Sequence, residues 1–141
     1  MIEFANDEDL PEVRSLLQRL SLPLEGVDDR LKMLVAREDG HVVGTAAMEL
    51  YEGGALLRSL AVDPRRQGKR LGHELTEAAL RLAAHHRAGV VFLLTTTAER
   101  FFPKFGFEPI ARDDVPLSVQ ASVEFRSACP ASAIVMRKHL P

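Results

Sequence analysis

An apolar run, Ala55-Leu56-Leu57-Arg58-Ser59-Leu60-Ala61-Val62, passes through a short basic loop into a long helical pattern, and this junction constrains the fold more than any other stretch of the chain. Beyond the loop Asp63-Pro64-Arg65-Arg66-Gln67-Gly68-Lys69-Arg70, apolar Leu71, Leu75, Ala78, Ala79 and Leu82 recur at helical spacing, with Glu74, Glu77, Arg81 and His85 on the other face. A helix that starts there leaves its first amides unpaired and carries partial positive charge at that end. An anion placed against it gains hydrogen bonds and dipole stabilisation together. Gly68 and Gly72 allow close backbone approach, so the loop reads as a cradle for a phosphate group.

The rest of the chain arranges itself around that junction. A short strand over 2–4 is followed by Asp7, Glu8 and Asp9 at the start of a helix over 10–20, whose stripe is Leu10, Val13, Leu16, Leu17 and Leu20. Strands over 33–37 and 42–50 flank the hairpin signal Glu38-Asp39-Gly40-His41, and a glycine loop at 51–55 leads to the strand over 56–62, giving an antiparallel meander. The long helix runs over 71–87 with Gly89 as its stop, ahead of a buried strand over 90–94. Thr96 and Glu99 have capping-box spacing, Val115, Val119 and Val123 predict a helix through about 125, and a last strand covers 133–137.

Composition excludes several classes. A chain of 141 residues is expected to form one domain over 1–141 and buries about two thirds of its unfolded surface without disulfide or metal staples. A net charge of −2 supplies no basic field for nucleic acid. The longest apolar stretches fall far short of the roughly 20 residues a membrane span requires. The amino-terminal residues lack the basic and apolar regions of a signal peptide, so the expected location is cytoplasmic. Cys129 is the single cysteine and is read as a small apolar group rather than a nucleophile. His73 and Glu77 do not complete a zinc-ligand pair, and no metal site is expected.

Leu60-Ala61-Val62-x-Pro64 followed by Gln67-x-x-Arg70-x-Gly72 resembles the coenzyme-binding motif of the GCN5-related N-acetyltransferases (GNAT), and the segment from Val90 to Phe107, with its closing Gly106-Phe107, resembles the next strand and short helix of that family. Arg58-Ser59-Leu60-Ala61-Val62, Leu93-Leu94-Thr95-Thr96-Thr97-Ala98-Glu99 and Phe101-Phe102 are similar to bacterial arsenic-resistance N-acetyltransferases and, more distantly, to the acetyltransferase domain of N-acetylglutamate synthase. The resemblance implies an α/β (α+β) GNAT fold: a twisted, mixed, mostly antiparallel sheet of six to seven strands flanked by about four helices. It also implies acetyl-CoA as cosubstrate, a small-molecule amine as acceptor, direct transfer without a covalent enzyme intermediate, and a homodimer. The alternatives are acetylation of a peptide or protein amine, and a non-catalytic acyl-CoA sensor.

Carried onto this chain, the resemblance places the coenzyme against Leu60, Ala61 and Val62, the loop residues Gln67, Gly68, Lys69, Arg70, Leu71 and Gly72, and Phe102. The Val62 amide is expected to meet the thioester oxygen and stabilise the charge that grows there as the amine attacks. Arg70 stands where the family motif has glycine, and the substitution is expected to be tolerated through a negative φ. Phe102 stands where many members have an acidic tyrosine, so a protein proton donor is in question. Glu49 is the expected general base, with cross-strand pairing to Arg58 as its competing role. By strand alternation Arg58 shares a face with Leu56, Leu60 and Val62, where it would hold the acid group of an amino acid or of an arsenical or phosphinic analogue. Tyr51 and Thr95 complete the expected substrate side.

Overall fold

The computed structural model describes residues 2–27, 31–128 and 132–141, and Cys129 lies outside them. Strand β1 (Ile2–Phe4) leads into a 3₁₀ turn, Asp7–Asp9, and helix α1 (Leu10–Arg19). Asn6 starts that turn, with a reciprocal box in which the Asp9 amide donates to Asn6 Oδ1 at 3.2 Å and the Asn6 amide to Asp9 Oδ2 at 2.8 Å. Strands β2 (Lys32–Glu38), β3 (His41–Tyr51) and β4 (Gly54–Val62) form the expected meander, and Asp39 and Gly40 make its first turn at φ 53° and 79°. Helix α2 (Leu71–His85), β5 (Val90–Thr95), β6 (Glu108–Ile110), the four-residue α3 (Leu117–Gln120), a π-helical turn Glu124–Ala128 and β7 (Ile134–His139) complete the chain. Among the described residues the strands make one seven-stranded sheet in the order β1-β2-β3-β4-β5-β7-β6, in which only β4 and β5 run parallel.

Each face of the sheet carries its own apolar layer. Leu75, Ala79, Leu82 and Ala83 of α2 pack on Leu34, Met48, Leu57, Val91 and Leu93, and Val13, Leu16 and Leu17 of α1 pack on Met33, Val35, Ala47 and Ala61 across the opposite face. A Cβ at Gly44 would stand 2.8 Å from Leu75 Cδ1, so the glycine lets α2 sit close on β3. Val115 and Val119 cover Leu56, Phe92 and Val135. None of the helices among the described residues is long and apolar enough to cross a membrane.

The strand pattern fails at one place that matters. Thr45 pairs with Ala61 and Ala47 with Arg58, so Ser59 and Leu60 together oppose Ala46. Ser59 takes φ 56°, and Thr45 Oγ1 donates to its carbonyl at 2.7 Å. An extra residue on one strand reverses the alternation beyond it. Arg58 therefore shares its face with Leu56 and Ala61, not with Leu60 and Val62 as uninterrupted alternation implies.

Three further expectations are corrected. The long helix closes at Arg87, φ 62°, and not at Gly89: the Ala88 amide donates to Ala83 O at 3.0 Å and that of Arg87 to Ala84 O at 2.9 Å. Thr95, not Thr96, caps the turn after β5, its Oγ1 accepting from the Ala98 amide at 2.9 Å. The helix expected through 125 is broken into a 3₁₀ turn, α3 and the π turn, because Val115 and Val119 serve the core while Val123 faces a separate cavity.

Candidate active site

The basic loop divides its charges between two tasks. Asp63 accepts the Arg65 amide at 3.0 Å and the Arg65 guanidinium at 3.3 Å, and these contacts hold its carboxyl below the ordinary value. Arg66 donates through Nε to Glu38 Oε2 at 2.9 Å, which lowers the glutamate and raises the arginine. Arg65 and Arg66 thus pin the 3₁₀ turn Pro64–Arg66 to the sheet, leaving Lys69 and Arg70 as the exposed cations of the cradle. Gly68 and Arg70 both take left-handed φ, 84° and 67°, so Arg70 occupies the conformation of the glycine it replaces and the expected negative φ is not adopted. The first helical bond runs from the Glu74 amide to Arg70 O at 3.0 Å, which leaves the amides of Leu71, Gly72 and His73 directed at the loop.

A groove of about 600 Å³ runs from Gly68, Arg70 and Gly72 along Leu60–Val62 to Phe101 and Lys104. It meets a smaller cavity of about 280 Å³ at Leu60, Thr97 and Ala98. That cavity exists because β4 and β5 pair only at Ala55–Val91 and Leu56–Phe92 and then separate. Backbone polarity follows from the register: the Asp63 amide donates to Val43 O at 2.8 Å, which makes Gly44 and Val62 a wide, unbonded pair. The Val62 amide and carbonyl therefore turn away from β3 toward the opening, and the carbonyl accepts Gln67 Nε2 at 3.1 Å. Ala61, paired with Thr45, spends its main-chain groups inside the sheet.

A buried polar cluster forms the cavity's inner wall. The Arg58 side chain, 0% exposed, donates from Nη1 to Glu49 Oε2 at 3.0 Å, from Nη2 to Glu25 O at 2.6 Å and from Nε to Ser59 Oγ at 3.2 Å. Glu124 Oε2 lies 3.5 Å from the same Nε. Tyr51 donates to Glu49 Oε1, and burial first, then the neighbouring carboxylate, push its phenol up from the ordinary value. Tyr51 and Glu49 line a second cavity of about 450 Å³ with Lys32 and Val123, on the far side of Arg58.

Residues 29–109 match the family model for the acetyltransferase (GNAT) domain. The chain belongs to the GNAT acetyltransferase family. The matched segment is an acetyltransferase domain by that model. Its fold is similar to that of N-acetylglutamate synthase from Neisseria gonorrhoeae in complex with coenzyme A and N-acetyl-glutamate, at 20% identity and a TM-score of 0.84, covering 100% of this chain and 35% of that one. The chain thus spans about a third of the length of that neighbour. Rv2747 from Mycobacterium tuberculosis, in complex with CoA and NLQ, aligns at 21% identity and a TM-score of 0.80, covering 100% and 99% of the two chains. The GNAT family N-acetyltransferase YhbS from Escherichia coli, in complex with CoA, aligns at 22% identity and 0.74, covering 100% and 81%.

Within this GNAT chain the residues expected from sequence divide by position. Leu60, Val62, Gln67, Gly68, Arg70, Leu71 and Gly72 line the groove, and Phe102, Arg58 and Thr95 line the smaller cavity. Lys69 stands exposed on the loop, and Thr95 spends its hydroxyl on the cap. Phe102 is buried against Phe101 and Phe107 and has no proton to give. Sequence reasoning missed the carboxylate of Glu124, the hydroxyl of Ser59, and the Gln67 side chain as a partner of Val62 O. Of these, Ser59 and Gln67 lay within segments that carry the family resemblance, and Glu124 did not.

Proposed function

We propose that this GNAT chain, acting over residues 1–141 as one domain, transfers acetyl from acetyl-CoA to the amine of a small molecule by direct attack. The observation that supports it is that the groove at Gly68–Gly72, which Val62 lines, meets the 280 Å³ cavity at Leu60, Thr97 and Ala98. In this reading loop amides and exposed Lys69 and Arg70 hold the pyrophosphate. The pantetheine arm lies along Leu60–Val62, and the outward Val62 amide donates to the thioester oxygen. When the neutral amine attacks, charge develops on that oxygen, and a fixed donor stabilises the transition state more than the ground state. Collapse expels thiolate from a thiol of ordinary pKa about 8.5. Solvent then supplies the proton.

The acceptor is small because the cavity is. An amino acid, or an arsenical or phosphinic analogue, is the narrower form of the proposal, supported by the likeness to N-acetylglutamate synthase. It requires Arg58 to exchange one of its glutamate partners for the acceptor's acid group. Thiol release on mixing acetyl-CoA with free amino acids, organoarsenicals and simple amines tests both forms. Release with a small amine supports transfer, and release only with peptides moves the acceptor class to protein amines. Tight coenzyme binding without release from any amine supports the sensor, the reading favoured by Phe102 in place of a proton donor.

A further inference from the structure

We propose that Lys104 holds the ribose 3′-phosphate of the coenzyme, so that this chain distinguishes coenzyme A from its 3′-dephospho form; the proposal rests on the reading of the groove as a coenzyme site. Two elements bound that groove. Gln67, Gly68 and Arg70 of the loop and the first turn of α2, Leu71 to His73, form one wall, while Phe101 and Lys104, at the 3₁₀ turn Phe102–Phe105, form the other. Packing fixes the walls relative to each other: the His73 ring lies 4.7 Å from that of Phe105, which in turn lies 5.3 Å from Phe101. Gly106 closes the turn at φ 94°, its amide donating to Pro103 O at 3.0 Å.

Charge decides what each wall can hold. Coenzyme A carries its pyrophosphate and a separate phosphate on the 5′ and 3′ positions of one ribose, so a wall that grips the first leaves the second to be met elsewhere. The loop amides with Lys69 and Arg70 serve the pyrophosphate in the reading above, and Arg65 and Arg66 are committed to Asp63 and Glu38. Of the permanent cations lining the groove, Arg70 and Lys104, the first belongs to the loop and the second is left over. Among the described residues the Lys104 ammonium has no carboxylate partner; it stands exposed, 5.6 Å over the Phe101 ring. A ring face attracts the cation while leaving its N–H donors for a stronger acceptor. A phosphate dianion is that acceptor, and a lysine meets it as a point charge on a flexible stem.

Calorimetry with coenzyme A and 3′-dephospho-coenzyme A reads the contact directly. At low ionic strength the wild type should bind coenzyme A about 5- to 10-fold more tightly than the dephospho form, the size expected of one exposed charge-assisted contact. Lys104→Gln should bring the two affinities to within about twofold, and Lys104→Arg should restore the preference. Lys69→Gln, a change in the pyrophosphate cradle, should weaken both ligands alike and keep their ratio. Equal affinities in the wild type, or a ratio that survives Lys104→Gln, would overturn the assignment and leave the coenzyme site standing. Equal weakening of both ligands by Lys104→Gln would overturn it too, moving the lysine to the pyrophosphate. Wild-type protein that binds neither ligand would overturn the coenzyme reading, and this proposal with it.

Discussion

Arg58 Nη1 donates to Glu49 Oε2 at 3.0 Å from a side chain with no exposed surface, so the residue that sequence marks for a substrate acid group is already the cation of an internal ion cluster and must exchange a partner to take that role. Removing that cation takes a buried partner from Glu49 and from Glu124. Arg58→Met should lower unfolding stability by about 3–5 kcal/mol, the cost of breaking a buried pair at one partner. Adding Glu49→Gln and Glu124→Gln to it should recover part of the loss. Urea denaturation of the single and triple variants measures both.

The bulge that sets the Val62 amide depends on Thr45. Its hydroxyl, buried with 0% exposure, donates to Ser59 O at 2.7 Å. Thr45→Val keeps the shape and deletes the donor, leaving a carbonyl without that partner. The expected cost is about 1–3 kcal/mol in unfolding stability. A weaker affinity for coenzyme A, read by calorimetry on the folded variant, should accompany it.

Arg70 at φ 67° carries backbone strain that glycine would not. Relief of roughly 1–2 kcal/mol is partly cancelled by the greater chain entropy of glycine, roughly 0.5–1 kcal/mol. Arg70→Gly should therefore raise stability by up to about 1.5 kcal/mol, while the lost charge makes coenzyme binding less sensitive to salt. Gly68→Ala is the converse: a Cβ there meets nothing within 4 Å, so its cost of about 1 kcal/mol comes from φ 84° alone. Thermal melts compare the two.

Acid should loosen the base of the loop. Asp63 and Glu38 are both held below their ordinary values by Arg65 and Arg66, so each contributes stability above its unfolded value, near pH 4, that is lost as pH falls through the lower folded value. Asp63→Asn removes one such group, and its stability should fall less steeply than that of the wild type below about pH 4. Chemical denaturation across that range gives the slope.

Much of this was legible in the residues. Apolar periodicity gave the meander, α2 and the strand after it, because each of those segments buries one face and repeats at one period. What escaped was whatever breaks a period. Ser59 is an ordinary strand residue by type, so nothing marked it as the extra residue that turns Arg58 onto the face of Ala61. Val115, Val119 and Val123 kept helical spacing although the backbone changes form between them. Glu124 gave no signal because its meaning comes from Arg58, a residue far along the chain that only the folded sheet brings to it. Arg70 was visible as a departure from the motif, but side-chain type alone could not say that the loop would impose the glycine's φ upon it.

The central claim is that backbone amides after Arg66 grip the pyrophosphate while the Val62 amide faces the thioester. Amide chemical shifts of ¹⁵N-labelled protein titrated with coenzyme A address it directly. The largest changes are expected at Gly68 through Gly72, followed by Val62, with little at the far cavity around Lys32 and Leu50. Saturable shifts centred elsewhere, or no shifts at all, would refute it.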